Sequence, residues 1–290
     1  MTEQTLRPRL IRWLWSLLIT GLSLPLALIV GAQEPLDLSH FDGADQWPLY
    51  APGDLTVDTG SMTAVTVAYD GVFATPEGPL ELLTTIDFNK AMFRGVPATW
   101  MLWTFTSEQA GDHGVPSLDL LVMERKTGAL RYRMAPTKPR SDWGGPYSFV
   151  GVEAGELRRT EVPDEGPSKN RVVSIERPLF DFGGLPFVLP FLDLRKGQGL
   201  RLHAYQQSAA SGVQLLNVKV IGETTITDSR GQRHQALEIQ SLAPSRSSRV
   251  SFFVSNKAPY FLGWDYRNVA DGSSLFKMTY RGFQKSYIGR

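Results

Sequence analysis

The 290-residue chain has no cysteine, only four histidines and almost no net charge, with 30 basic against 29 acidic side chains giving +1. Without cysteine there is no disulfide, thiolate metal site, thiol nucleophile, iron–sulfur cluster or lipid-modified N-terminal cysteine. So even a balance excludes a non-specific nucleic-acid binder, which needs a clustered excess of Lys and Arg. His40, His113, His203 and His234 are scattered, and none lies within metal-ligand spacing of another, so no metal is implied. Asp42 and Asp45 have no calcium-loop spacing after them. A Gly-x-Ser-x-Gly elbow, a phosphate-binding P-loop and a complete Gly-x-Gly-x-x-Gly are all missing, and no cofactor is expected. No long segment repeats its apolar residues every 3.6 positions, which excludes a helical bundle.

What is present begins with a hydrophobic fraction of 42%, enough to rule out a disordered chain. At the N-terminus Arg7, Arg9 and Arg12 precede the apolar run Trp13 to Val30, and Val30-Gly31-Ala32 supplies small residues for a peptidase. Residues 1–32 are therefore expected to be a signal peptide, and the rest an extracytoplasmic, periplasmic protein. The alternative is an uncleaved anchor in the inner membrane, because residues 13–30 are just long enough to span a bilayer. Membrane contact is expected only through that segment. Its removal takes three Arg and Glu3 with it and moves the net charge from +1 to −1.

Residues 33–60 form an irregular lead-in rich in Pro, Gly and Asp. Beyond it the dominant pattern is alternation, the mark of strands with one wet face in an antiparallel sheet. Leu82, Thr84, Ile86 and Phe88 share one face, as do Leu216, Val218 and Val220, and Phe276, Met278 and Tyr280. Leu130, Tyr132 and Met134 are expected on the core side, opposite Arg131 and Arg133. Hairpin turns are expected at Lys126-Thr127-Gly128, at Ser229-Arg230-Gly231-Gln232 and at Ala270-Asp271-Gly272. Pro186 and Pro190 break the one helical candidate, 178–194, into short turns. The expected fold is all-β: an antiparallel meander over 61–290 forming a curved open sheet or half-barrel. Polar stretches near 136–170 leave open a division into two lobes.

Catalytic candidates are few. Asp58-Thr59-Gly60-Ser61 matches the turn of aspartic proteases, a chemistry that needs two carboxylates sharing one proton. No second such turn exists, since Asp228-Ser229 is followed by Arg230. A hydrolase using Asp58 is kept as the enzyme alternative, with an ordinary interstrand turn as the plainer reading. Ser274-Leu275-Phe276-Lys277, Ser168-Lys169-Asn170 and Lys126-Thr127-Gly128 resemble fragments of serine penicillin-binding enzymes, but stand in reversed chain order and are rejected.

Two features point to binding. Arg125, Lys126, Arg131 and Arg133, with Lys138 and Arg140 beyond, form a basic cluster: the wet face of a hairpin, or an attractor of anionic headgroups or polysaccharide. The stretch Trp100–Phe105 is apolar on both faces, and Phe180 to Leu192 adds a hydrophobic segment that is neither clean helix nor clean strand. Either 178–194 covers an open sheet as core, or the sheet keeps an apolar groove lined by Trp100, Leu102, Trp103, Phe187, Trp264 and Tyr266.

From 178 onward Leu179-Phe180-Asp181, Leu189-Pro190, Asp193-Leu194-Arg195-Lys196-Gly197 and Ser251-Phe252-Phe253-Val254 beside Ala258-Pro259-Tyr260 follow in order. With the strand–basic turn–strand at 118–130 they make the chain resemble a family of secreted bacterial proteins, domain of unknown function 3108. That resemblance covers about two-thirds of the chain. It implies a half-barrel-like antiparallel sheet, similar in outline to carriers of outer-membrane lipoproteins, and brings no catalytic residues. The expectation is an exported envelope binding module for an apolar or lipid-like ligand or an envelope protein partner, with a structural role in an envelope complex as a further alternative.

Overall fold

The computed structural model describes residues 34–284 apart from 56, 58, 60, 61, 76, 77, 108–116, 137–146, 164, 165, 208, 210, 243 and 244. The expected signal segment, Asp58, His113, Lys138 and Arg140 lie outside the described residues. The fold is one open 16-stranded sheet, as the alternation pattern predicts.

A first meander runs through β2 (Thr66–Thr75), β3 (Gly78–Phe93), β4 (Val96–Thr106), β5 (Ser117–Glu124), β6 (Leu130–Pro136), β7 (Tyr147–Glu153), β8 (Glu156–Val162) and β9 (Lys169–Ser174). A second runs through β11 (Gly199–Tyr205), β12 (Val213–Thr227), β13 (Arg233–Leu242), β14 (Ser248–Val254), β15 (Phe261–Asn268) and β16 (Ser274–Gln284). Each strand pairs antiparallel with the next, and β16 closes onto β2 with Tyr280 opposite Tyr69, which joins both meanders into one sheet. The short β1 (Leu49–Tyr50) and β9 form the two ends. The polar stretch 136–170 contains β7 and β8, which continue the same sheet.

A sheet this wide curls, because each strand adds right-handed twist. Its concave face is covered by the connection between β9 and β11. Leu130 N–H of β6 donates to Leu179 O at 2.8 Å, β10 (Phe180–Asp181) pairs parallel with β11, and Phe182 N–H donates to Tyr205 O at 3.0 Å. The chain then turns into α1 (Leu185–Val188), all four of whose residues are buried, and a 3-10 turn at Leu189–Phe191. Pro186 and Pro190 sit in first-turn positions, where a missing N–H costs nothing, but neither lets a helix extend through it. The result is a compact plug.

Phe187 is the centre of this plug. Its ring lies 4.8 Å from Phe88 of β3, 5.8 Å from Trp103 of β4 and 5.3 Å from Phe261 of β15. Two glycines record how closely plug and wall approach. A Cβ on Gly184 would stand 2.7 Å from Met123 Sδ, and one on Gly128, in the β5–β6 turn at φ +71, would stand 3.0 Å from Val188. Replacing Phe187 by Ala is expected to cost about 3–5 kcal/mol in urea unfolding, because three strands cannot collapse onto the void together. Val72→Ala, at a site 43% exposed, should change stability by no more than about 0.5 kcal/mol.

Candidate functional site

The structure divides the expected groove residues between two faces. Trp103 and Trp264 stack with centroids 6.2 Å apart beside Phe187, all on the concave side. Tyr266, two residues on from Trp264, exchanges a hydrogen bond with Ser248 Oγ at 2.8 Å. Trp100 and Leu102 alternate with the buried Met101 and Trp103 and so face outward; Trp100 meets Phe93 at 5.6 Å on the convex side. The aromatic set on the concave side is filled by the plug rather than left open.

Room remains at one rim. A half-open cavity of about 450 Å³ lies between the end of the plug and the wall. Leu189, Pro190, Leu192 and Leu194 line it from the plug, and Ala236, Leu237 and Val254 from β13 and β14. Glu223, Gln235, Ser255 and Asn256 supply its polar lining, in which Glu223 is the one ionisable group. The loop beyond Asn256 holds Tyr260 at φ +63, a left-handed conformation costly for a non-glycine residue, with its ring 5.3 Å from Phe191. The sequence shows the apolar character of 189–194, but which wall residues face it depends on pairing that leaves no local trace.

The basic cluster also divides. Lys126 is exposed in its turn, Arg125 donates to Ala98 O at 3.4 Å, and Arg131 pairs with Glu124. Arg133 does not join a wet face as the alternation suggests. A bulge opposite Val122 and Met123 shifts the register of β6, so that Leu130 is fully buried while Tyr132 turns outward to Phe93. Arg133 then points inward, where it donates to Asp119 Oδ2 at 2.5 Å and to Asp181 Oδ1 at 2.6 Å. Asp181 belongs to the plug and Asp119 to β5, so the guanidinium ties plug and wall together.

Burial sets the protonation of this triad. Loss of hydration raises the Asp119 carboxyl above its ordinary 3.8; Arg133 pulls the other way and Asp181 adds to the rise. Burial alone would weaken the Arg133 proton, but the two carboxylates outweigh it and hold the guanidinium charged. Burial likewise pushes the Tyr205 hydroxyl up to about 12. Among the described residues no group of three His, Asp or Glu side chains could hold a metal ion. No helix among them is long and apolar enough to cross a membrane.

No known family profile and no curated protein matches the chain, so the resemblance to domain of unknown function 3108 is not confirmed by a profile. Among solved structures the chain is similar to a β-barrel-like protein of the domain of unknown function DUF1849 from Brucella abortus. The two share 10% identity over 76% of this chain and 97% of that one, with a TM-score of 0.36.

The triad gives a pH prediction with a definite sign. A carboxyl whose pKa is higher folded than unfolded destabilises the fold when ionised; that penalty is fully present above the folded value and is lost as pH falls from there to the unfolded one. Asp119→Asn should therefore flatten the pH dependence of the unfolding free energy between 3.8 and the folded value, read by urea unfolding across that range. Arg133→Met leaves two buried carboxylates unpaired and should cost about 3–5 kcal/mol in the same denaturant titration.

Proposed function

We propose that the protein is an exported envelope module that holds an apolar, lipid-like chain in the cavity between the plug and β13–β14. The observation that carries this reading is the half-open cavity of about 450 Å³, lined by plug leucines and by Ala236, Leu237 and Val254 with four polar side chains among them. That is within the range of small-molecule sites, which bury an apolar body and orient it with a few polar groups. Over much of the concave face the space is occupied by aromatic side chains, and this cavity is where room for a ligand remains among the described residues. Trp103 packs against Phe187 of the plug and stacks on Trp264, and the convex Trp100 and Leu102 take no part in the site.

Export rests on the basic and apolar character of residues 1–32, and a periplasmic location follows from it. The resemblance to domain of unknown function 3108, with its half-barrel outline, supports the same reading of a carrier or binding role. An envelope protein is a natural recipient for a chain carried in a half-open cavity.

The test uses N-phenyl-1-naphthylamine, an uncharged apolar fluorophore, with lipid extraction and mass spectrometry of the purified protein. The wild-type protein should bind the probe and release an apolar co-purified molecule. Ala236→Trp should fill the cavity from the wall side and weaken probe binding at least about tenfold, about 1.4 kcal/mol. A wild-type protein that neither binds the probe nor yields a lipid, or an Ala236→Trp variant that binds it unchanged, would contradict the reading.

A further inference from the structure

The cavity between the plug and β13–β14 changes character with depth. Leu189, Leu192, Ala236 and Val254 are buried, whereas Glu223, Gln235 and Asn256, which line the same space, are exposed at its mouth. Strand pairing brings two of these polar residues together. Glu223 of β12 stands directly opposite Leu237 of β13, and Gln235 shares the face of Leu237, opposite Thr225. Glu223 and Gln235 are thus diagonal neighbours, about 7–8 Å apart at the backbone and within reach of one ligand group.

The polar atoms at this mouth are chiefly acceptors. Gln235 donates its amide N–H to Thr225 Oγ1 at 3.2 Å, which turns its carbonyl oxygen toward other donors. Ser255 Oγ accepts from Lys257 N–H at 3.2 Å. Glu223 adds a carboxylate, which only accepts when ionised. No basic side chain lines the cavity, and among the described residues none forms an ion pair with Glu223. Lys257 is exposed beside Asn256 and stays outside the lining. The stem of Lys196 lies against Gly222, which pairs with Glu238 and presents the opposite face of the sheet.

We propose, resting on the cavity's role as the ligand site, that its ligand is a cationic amphiphile: an alkyl chain with an amine head whose N–H groups bind Glu223 and the Gln235 carbonyl. An ammonium brings three donors and a positive charge to a mouth that offers acceptors and one unpaired negative charge. A carboxylate or phosphate head would place a second negative charge beside Glu223, with no guanidinium or ammonium in the lining to receive it. A hydroxyl head would bond without charge assistance and rank between the two. A small cation with no chain would gain nothing from Leu189, Leu192 and Val254, so both ends of the amphiphile are used.

Displacement of N-phenyl-1-naphthylamine from the purified protein by dodecylammonium, dodecanol and dodecanoate tests this. The competitors share one alkyl chain and are used at neutral pH below their micellar concentrations. Dodecylammonium should compete about fivefold more strongly than dodecanol, and dodecanoate about fivefold more weakly, the factor that one ion pair or like-charge contact contributes at a partly exposed site. Glu223→Gln should bring dodecylammonium level with dodecanol, and Glu223→Lys should put dodecanoate ahead of both. Glu223 is exposed, so both variants should keep the wild-type unfolding midpoint. Dodecanoate competing as well as dodecylammonium in the wild type, or an ammonium preference that persists in Glu223→Gln, would overturn the proposal. Either result, obtained while the fluorophore binds, leaves the cavity's role in binding intact. A wild-type protein that does not bind the fluorophore would contradict that role and the cationic ligand together.

Discussion

Phe187 is gripped by rings from β3, β4 and β15, and this contact determines what the concave face can do. A curled 16-stranded sheet presents far more apolar surface on its inner side than its own side chains can cover. The β9–β11 connection solves this by passing through the interior instead of around an edge. Its prolines keep it short enough to turn back within the sheet, and Leu185, Phe187 and Val188 bury completely. Space is left at the rim where the plug turns, lined by both apolar and polar side chains. The opposite rim is built from charges and hydroxyls.

The second rim is energetically expensive. Two carboxylates and a guanidinium share a poorly hydrated site, and such groups are seldom worth more to stability than apolar residues of similar volume. The triad does place Asp181, and with it β10, against the wall formed by β5 and β6. The same side chains thus position the plug against the wall.

Much of the wall is legible in the sequence. Leu216, Val218 and Val220 alternate inward as their spacing implies, and so do Phe276, Met278 and Tyr280, because nothing interrupts the two-residue period on the stretches that carry them. The turns at Gly128, at 229–232 and at 270–272 fall where glycine and polar residues cluster. Arg133 escapes the same reasoning. One extra residue in β6 exchanges the faces beyond it, and a bulge carries no hydrophobic signature of its own. The pairing of β16 with β2 joins residues about two hundred positions apart, so no local pattern announces it. The apolar cavity is half legible for the same reason: Leu189 and Leu192 advertise themselves, whereas Ala236 and Val254 become wall residues only through strand order.

The central claim is that the plug belongs to the core and leaves ligand space at the β13–β14 rim. Hydrogen exchange of two amides that bridge plug and wall, Leu130 N–H to Leu179 O and Phe182 N–H to Tyr205 O, measures this most directly. If the plug is core, both should exchange only through global unfolding, with the same free energy as the amides of β3 and β4. Exchange of Leu130 and Phe182 through a much smaller opening, while β3 and β4 stay protected, would show a plug that leaves the sheet intact and would contradict the account.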